Sequence, residues 1–270
     1  AGWTLAKATA TGTMHIEAGI GCHDSVGGWV RSDDRGLVDA IGVVADGAGS
    51  ALLPELGSRT AVAYVVDEAR KARIEHFEGG REVASLAEVG NESESTSHTD
   101  PAVELVRRLF SGARKALEVT ADEEGVKLRD LATTLMVAMV TDERFVVAEI
   151  GDGVVAVRSS DGTISSMISP QRGEFANEAT FITSGAELPH LELASRPVCE
   201  VNAFGLSSDG LRLLITSNSL EGSPYPPFFN DVFSAVVSGT TDEQIAGFLE
   251  RAADRTGDDK SLVIGVRRAP

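Results

Sequence analysis

Apolar residues in this chain fall into two kinds of run, and their spacing predicts two kinds of element. Val38 to Ala45, Leu131 to Val140, Phe145 to Ile150, Val154 to Arg158, Thr163 to Ile168, Phe175 to Ser184, Pro197 to Leu206 and Ser261 to Arg267 are short, rich in β-branched residues and bounded by polar turns. Such runs read as strands. Thr4 to Thr11 and Ile16 to Gly19 read as two more, around a turn at Gly12. Longer segments repeat apolar residues at helical spacing: Leu56 to Phe77, Pro101 to Val119, Pro226 to Val237 and Asp242 to Asp254. Ala61, Val65 and Val66 mark the first face, and Val103, Leu105, Val106, Leu109 and Ala113 the second. Leu211 to Thr216 fits either a further strand or the start of a helix.

Several strand runs are apolar on both alternations, which predicts sheets covered on both faces. Asp142-Glu143, Gly151-Asp152-Gly153 and Asp161-Gly162 join neighbouring runs so closely that the pairs must be antiparallel hairpins. The order is strand, two helices, hairpins, two helices, strand. It predicts an α+β fold, a four-layer αββα sandwich of two antiparallel sheets flanked by helices, as one domain over residues 1–270. Residues 88–100 are polar and acidic with little to bury, and are expected to form a mobile loop within it.

Composition narrows the function classes. The chain has 270 residues, 42% of them hydrophobic, so a full core can form without disulfides. Its two cysteines, Cys22 and Cys199, form no CxxC motif and are expected to be free thiols in a reducing compartment. A formal net charge of -17 argues against nucleic acid and against an anionic membrane surface as partners. No run approaches the roughly 18 apolar residues of a spanning helix, and the first residues lack a signal-peptide pattern. A cytoplasmic protein is expected.

The chemistry lies at the turns. Val44-Ala45-Asp46-Gly47, Ile150-Gly151-Asp152-Gly153, Ser207-Ser208-Asp209-Gly210 and Asp258-Asp259 each adjoin an apolar strand, and Asp24 stands in Gly21-Cys22-His23-Asp24. A carboxylate at a strand end is held rigidly. Several can share one place only around positive charge, and hard divalent cations are the usual partners of such oxygen sets. Asp-Gly is also a common tight turn. Asp161-Gly162, between two polar-ended strands, reads as a plain one. Gly47-Ala48-Gly49 partly mimics a dinucleotide loop, but Leu52 stands where the third glycine belongs.

Taken in order, these motifs resemble the metal-dependent protein phosphatases, type 2C or PPM, and most closely a bacterial branch. The resemblance rests on Gly12-Thr13-Met14-His15, Cys22-His23-Asp24, Asp46-Gly47, Thr133-Thr134, Gly151-Asp152-Gly153, Ser208-Asp209-Gly210 and Asp258-Asp259-Lys260-Ser261. It implies hydrolysis of phosphoserine and phosphothreonine on protein substrates, with Mn²⁺ or Mg²⁺, in a bacterial Ser/Thr kinase pathway. By the same resemblance Asp46 would bridge two ions and the Gly47 carbonyl would bind one. Asp209 and Asp258 would complete the first shell, Asp24 would serve the second ion, and Asp152 would support a third. Two divalent ions can share a hydroxide that attacks the phosphoester in line, so no protein nucleophile is needed. Departures stand beside these matches. Gly19 replaces an Arg that holds phosphate in many members, His23 replaces a Glu or Gln, and Leu213 replaces a carboxylate of the third site. A third ion is therefore expected to be absent or weakly held. His15 is the first candidate to hold phosphate or to protonate the leaving oxygen, with Arg31 as the other. Thr133-Thr134 is expected to brace the site without doing chemistry, and Asp259 to cap or brace Asp258. The alternative function is a catalytically weak, phosphatase-like binding or regulatory domain.

Overall fold

The computed structural model describes residues 2–32, 36–72, 100–168, 180–185, 188, 190–217 and 223–268. Along the chain run β1 (Trp3–Ala10), α1 (Thr13–Ala18), β2 (Ser25–Val30), β3 (Val38–Ala45), α2 (Pro54–Lys71) and α3 (Pro101–Glu124). The hairpin region holds β4 (Leu135–Thr141), β5 (Arg144–Ile150), β6 (Val154–Ser159) and β7 (Ile164–Ser165). β8 (Glu192–Pro197), β9 (Val201–Ser207), α4 (Arg212–Ile215), α5 (Pro226–Val237), α6 (Asp242–Arg251) and β10 (Lys260–Arg267) complete it. One sheet has the order β1-β10-β9-β6-β7 and the other β2-β3-β4-β5-β8. All these ladders are antiparallel.

Alternation within the strands builds the four layers. On β4, Leu135, Val137 and Met139 pack with Val65, Leu109 and Phe110 of α2 and α3. Their neighbours Met136, Ala138 and Val140 face the other sheet, against Phe204, Leu206 and Val263. On β10 the roles are mirrored: Leu262, Ile264 and Val266 pack with Phe229 and Phe233 of α5 and with Leu249 of α6. A strand apolar at every position thus serves two cores at once. The αββα sandwich is the architecture of the described residues.

Several boundaries differ from the sequence reading. Ile16 to Gly19, expected as a strand, lies in and just after helix α1, which Gly19 closes at φ 68° in the left-handed region. Four residues carry too little periodicity to tell strand from helix. β2 escaped notice because Gly27-Gly28 reads as a breaker. The pair is there for close packing: a Cβ on Gly27 would stand 2.5 Å from Val62 of α2, so the bare backbone lets the helix rest on the strand. β8, with the sequence ELASRP, is an edge strand too polar to register as one. α2 stops at Lys71 because Ala72 is extended and its carbonyl accepts from the Leu37 N–H at 3.1 Å. α3 runs past Val119 to Glu124, with Ala121 still buried.

Leu131 belongs to a 3-10 turn, Leu128–Leu131, before β4 begins. Leu211 to Thr216 holds a short helix, not a strand. Of Phe175 to Ser184, residues 180–184 form no strand and the rest lie outside the described residues. Of the expected loop 88–100, only Asp100 is described. Its side chain caps α3 by accepting from the Ala102 N–H at 2.9 Å. Cys22 and Cys199 are free thiols. Among the described residues no helix is long and apolar enough to cross a membrane.

Candidate metal and phosphate site

The acidic turns converge because the strand registers bring their ends together. Ser25 pairs with Ala45 across β2 and β3, which sets Asp24 and Asp46 side by side, one residue beyond the ladder. In the other sheet Ser207 pairs with both Leu262 and Val154, so the turns bearing Asp209, Asp258 and Asp152 share one edge. A serine clasp joins the two edges. Ser208 N–H donates to Ser261 Oγ at 3.1 Å, Ser261 N–H donates back to Ser208 Oγ at 3.1 Å, and Ser208 O–H donates to Asp24 Oδ2 at 2.6 Å.

Asp46 is freed from turn duty by its neighbours. Its N–H donates to Thr134 Oγ1 at 2.9 Å, and its carbonyl accepts from the Thr133 hydroxyl at 2.9 Å and the Thr134 N–H at 2.8 Å. These bonds fix the backbone and leave the carboxylate with acids around it. Gly47 is buried, bridged to Thr133, with its N–H on the His23 carbonyl at 3.3 Å.

The electrostatics follow from this crowding. Burial pushes the Asp46 carboxyl well above the usual range, and Asp24, Asp209, Asp258 and Asp152 push it further. Asp24 is raised to about 7, by burial first and then by Asp259 and Asp258, against the Ser208 bond. Asp209 is raised to about 6 by burial and by Asp152 and Asp258, and its Oδ1 is buried without a hydrogen-bond partner. Carboxylates so placed must hold protons or a cation. Five converging oxygen-donor side chains, one with an orphaned buried oxygen, suit hard divalent ions.

Two charged groups at this edge, Glu149 and Arg212, were not assigned from the sequence, and a third, Asp259, does more than was expected of it. Glu149 is buried, its Oε1 has no partner, and burial raises its carboxyl to about 7. A lone acid inside the apolar run Phe145 to Ile150 was a signal for it. Arg212 donates to the Asp152 carbonyl and sets its guanidinium 3.8 Å from that carboxylate, while Leu213 beside it is exposed. A fixed cation thus stands by the acid that the resemblance gave to a third ion. Asp259, expected only to brace Asp258, is 2% exposed and is the hub of the N-terminal motif. It accepts from the Gly12 N–H at 2.7 Å, from the His23 N–H at 2.5 Å, and pairs with His15 Nδ1 at 2.9 Å. Asp258, in contrast, is exposed, with Oδ1 accepting from the Asp259 N–H at 2.8 Å.

His15 and His23 lie against each other, ring centroids 4.3 Å apart. Burial first, and then His15, lower the pKa of the His23 imidazole. Arg31 is the correction among the phosphate candidates. It follows Val30, at the end of β2 away from Asp24, roughly 20 Å along the strand by its rise per residue. There it pairs with Asp39 at 2.6 Å and Asp142 at 3.2 Å.

Comparison with known proteins identifies the family. A family model described as Protein phosphatase 2C matches residues 11–250, which takes in Asp24, Asp46, Asp152 and Asp209. Serine/threonine-protein phosphatase 3 of Escherichia coli (strain K12) is 29% identical over 277 residues, covering 98% of each chain. Serine/threonine phosphatase Stp1 from Staphylococcus aureus shares the fold with a TM-score of 0.61 at 15% identity, over 98% of this chain and 95% of that one. The catalytic domain of the serine threonine protein phosphatase PstP, in complex with two manganese ions, gives a TM-score of 0.56 at 17% identity, over 99% and 100%. With a match across most of its length and the acidic turns gathered at one edge of the sandwich, the chain belongs to the protein phosphatase 2C family of serine/threonine phosphatases.

Proposed function

We propose that the chain removes phosphate from phosphoserine and phosphothreonine of protein substrates, using two divalent ions, Mn²⁺ or Mg²⁺. The observation that carries this reading is the gathering of Asp24, Asp46, Asp152, Asp209 and Asp258 at one end of the sandwich, set there by the strand registers. A chain that keeps such a cluster needs a cation to use it. Asp46, Asp209, Asp258 and Asp24 would hold the ions, with the Gly47 carbonyl. When bound, the ions acidify a shared water and neutralise charge on the phosphoryl oxygens.

The protein's own groups do the rest. Asp259 accepts at His15 Nδ1, which keeps the proton on that nitrogen and leaves Nε2 for the substrate. When the ring is protonated, Nε2–H can donate to a phosphoryl oxygen or give its proton to the departing serine or threonine oxygen. Asp259 is itself fixed by two backbone N–H groups, so the imidazole is oriented before substrate arrives. The Thr133 and Thr134 bonds hold Asp46 in the same way. Phosphoproteins of a bacterial Ser/Thr kinase pathway in the cytoplasm are the proposed setting.

The test is turnover of phosphoserine and phosphothreonine peptides and of an aryl phosphate, with Mn²⁺, with Mg²⁺ and with chelator. Metal-dependent release of phosphate from peptides supports the reading. Peptide binding without turnover under any metal would make the chain a binding domain.

A further inference from the structure

We propose that His15, His23 and Asp259 form a separate metal position of mixed nitrogen and oxygen character, one that takes a borderline transition cation, best Zn²⁺. The position shares His15 and Asp259 with the phosphatase reading, and an ion there would replace the proton on His15 Nδ1, so the two states exclude each other; zinc binding is measured independently of turnover. One ligand atom from each of the three residues lies within 4.8 Å of the other two. His15 Nδ1 and Asp259 Oδ2 are 2.9 Å apart, and parting them to the roughly 3.4 Å of two tetrahedral ligands on one ion is a movement of about half an ångström. The rings of His15 and His23 stand 4.3 Å apart, so His23 needs only a small shift to join them.

Two features suit this cluster to an ion. The Nδ1 of His23 is buried and has no hydrogen-bond partner. Such an atom costs free energy until something binds it. Asp259 is anchored by the N–H groups of Gly12 and His23, so one carboxylate oxygen is fixed toward His15 while lone pairs remain for a metal. The donor type separates this position from the acidic edge. Asp24, Asp46, Asp152, Asp209 and Asp258 offer only oxygen, the choice of Mg²⁺ and Mn²⁺. Two imidazoles and a carboxylate favour zinc. Three protein ligands leave a fourth coordination position open.

The experiment uses the full chain saturated with Mg²⁺ to fill the carboxylate edge. Zinc is titrated calorimetrically, and its surroundings are read by X-ray absorption at the zinc edge. The expected result is one zinc per chain with two imidazole ligands. In His23→Gln the affinity should fall by more than the roughly tenfold to hundredfold that loss of an outer-shell partner costs, and the imidazole signal should drop. His15→Gln repeats the test from the other side of the ion, should His23→Gln fold poorly by circular dichroism. Zinc held by oxygen ligands alone in the wild type would overturn the proposal. So would imidazole-bound zinc that both variants leave unchanged, which would place it on other histidines.

Discussion

Asp46-Gly47 and Asp161-Gly162 are the same dipeptide after a strand, yet they do opposite work. Asp161 is exposed, and its Oδ1 accepts from the Thr163 N–H at 2.8 Å. That bond builds the turn and holds its carboxyl below the usual range. At Asp46 the threonines build the turn instead. The carboxylate is left among other acids, and its pKa moves up. The lesson is that a turn residue becomes available for chemistry when some other group has taken over the turn.

The comparison breaks most sharply by charge removal. Asp46→Asn keeps size and hydrogen bonding, and should cut metal-supported turnover on the order of a thousandfold or more while the fold persists. Calorimetry should find ion binding lost with it. Turnover at the wild-type level in that variant would end the two-ion reading.

His15→Ala comes next. On phosphopeptides, whose alkoxide leaving group needs a proton, kcat should fall roughly a hundredfold or more. On an aryl phosphate the loss should be smaller. Equal losses would mean that His15 only holds phosphate. No loss on either would leave it a structural residue.

A third effect concerns pH and is smaller. The carboxyls of Asp24 and Asp209 titrate near 7 and 6 in the folded protein, well above an exposed aspartate. Between about pH 4 and pH 7 the metal-free folded state therefore binds more protons than the unfolded chain. Stability from these groups is present at low pH and is lost as pH rises through their folded values. Chelated protein should melt lower at pH 8 than at pH 5.5, and added Mn²⁺ should raise Tm more at pH 8. A chelated protein whose Tm climbs over that range would contradict the crowding.

The smallest effect is expected at the control turn. Asp161→Asn should leave metal binding and turnover unchanged within error, because the amide oxygen can still accept from Thr163. Matching losses at positions 46 and 161 would erase the distinction between the two turns.

Much of this was legible in the chain, and the gaps have physical causes. Strands that serve two cores must be apolar throughout, so β3, β4, β5 and β10 stood out. β2 and β8 did not, since one owes its place to a glycine under a helix and the other to an exposed edge. The acidic turns were visible because Asp-Gly after an apolar run is a local pattern. What they touch is not local. Asp259 reaches Gly12, His15 and His23 across more than two hundred residues, so the sequence suggested only a bracing role beside Asp258. Arg212 beside Asp152 is likewise a product of β6 lying next to β9. Arg31 misled for the same reason: nearness in sequence to the first motif put it at the wrong end of a strand.

The serine clasp has a mechanical meaning. Two sheets packed face to face are held along their length by apolar contact, which is non-directional and permits small sliding. At the mouth, Ser208 ties the β9–β10 edge to Asp24 on the β2–β3 edge by a single short bond. Ions gripped from both edges would act as rivets beside it. Opening of that end and release of the ions are then one motion, while the far end, where Val30 pairs with Ala40, need not stir. Amide exchange with and without chelator would read this directly: faster exchange near Ser25 and Ala45, with no change near Val30, is the signature of a sandwich pinned at one end.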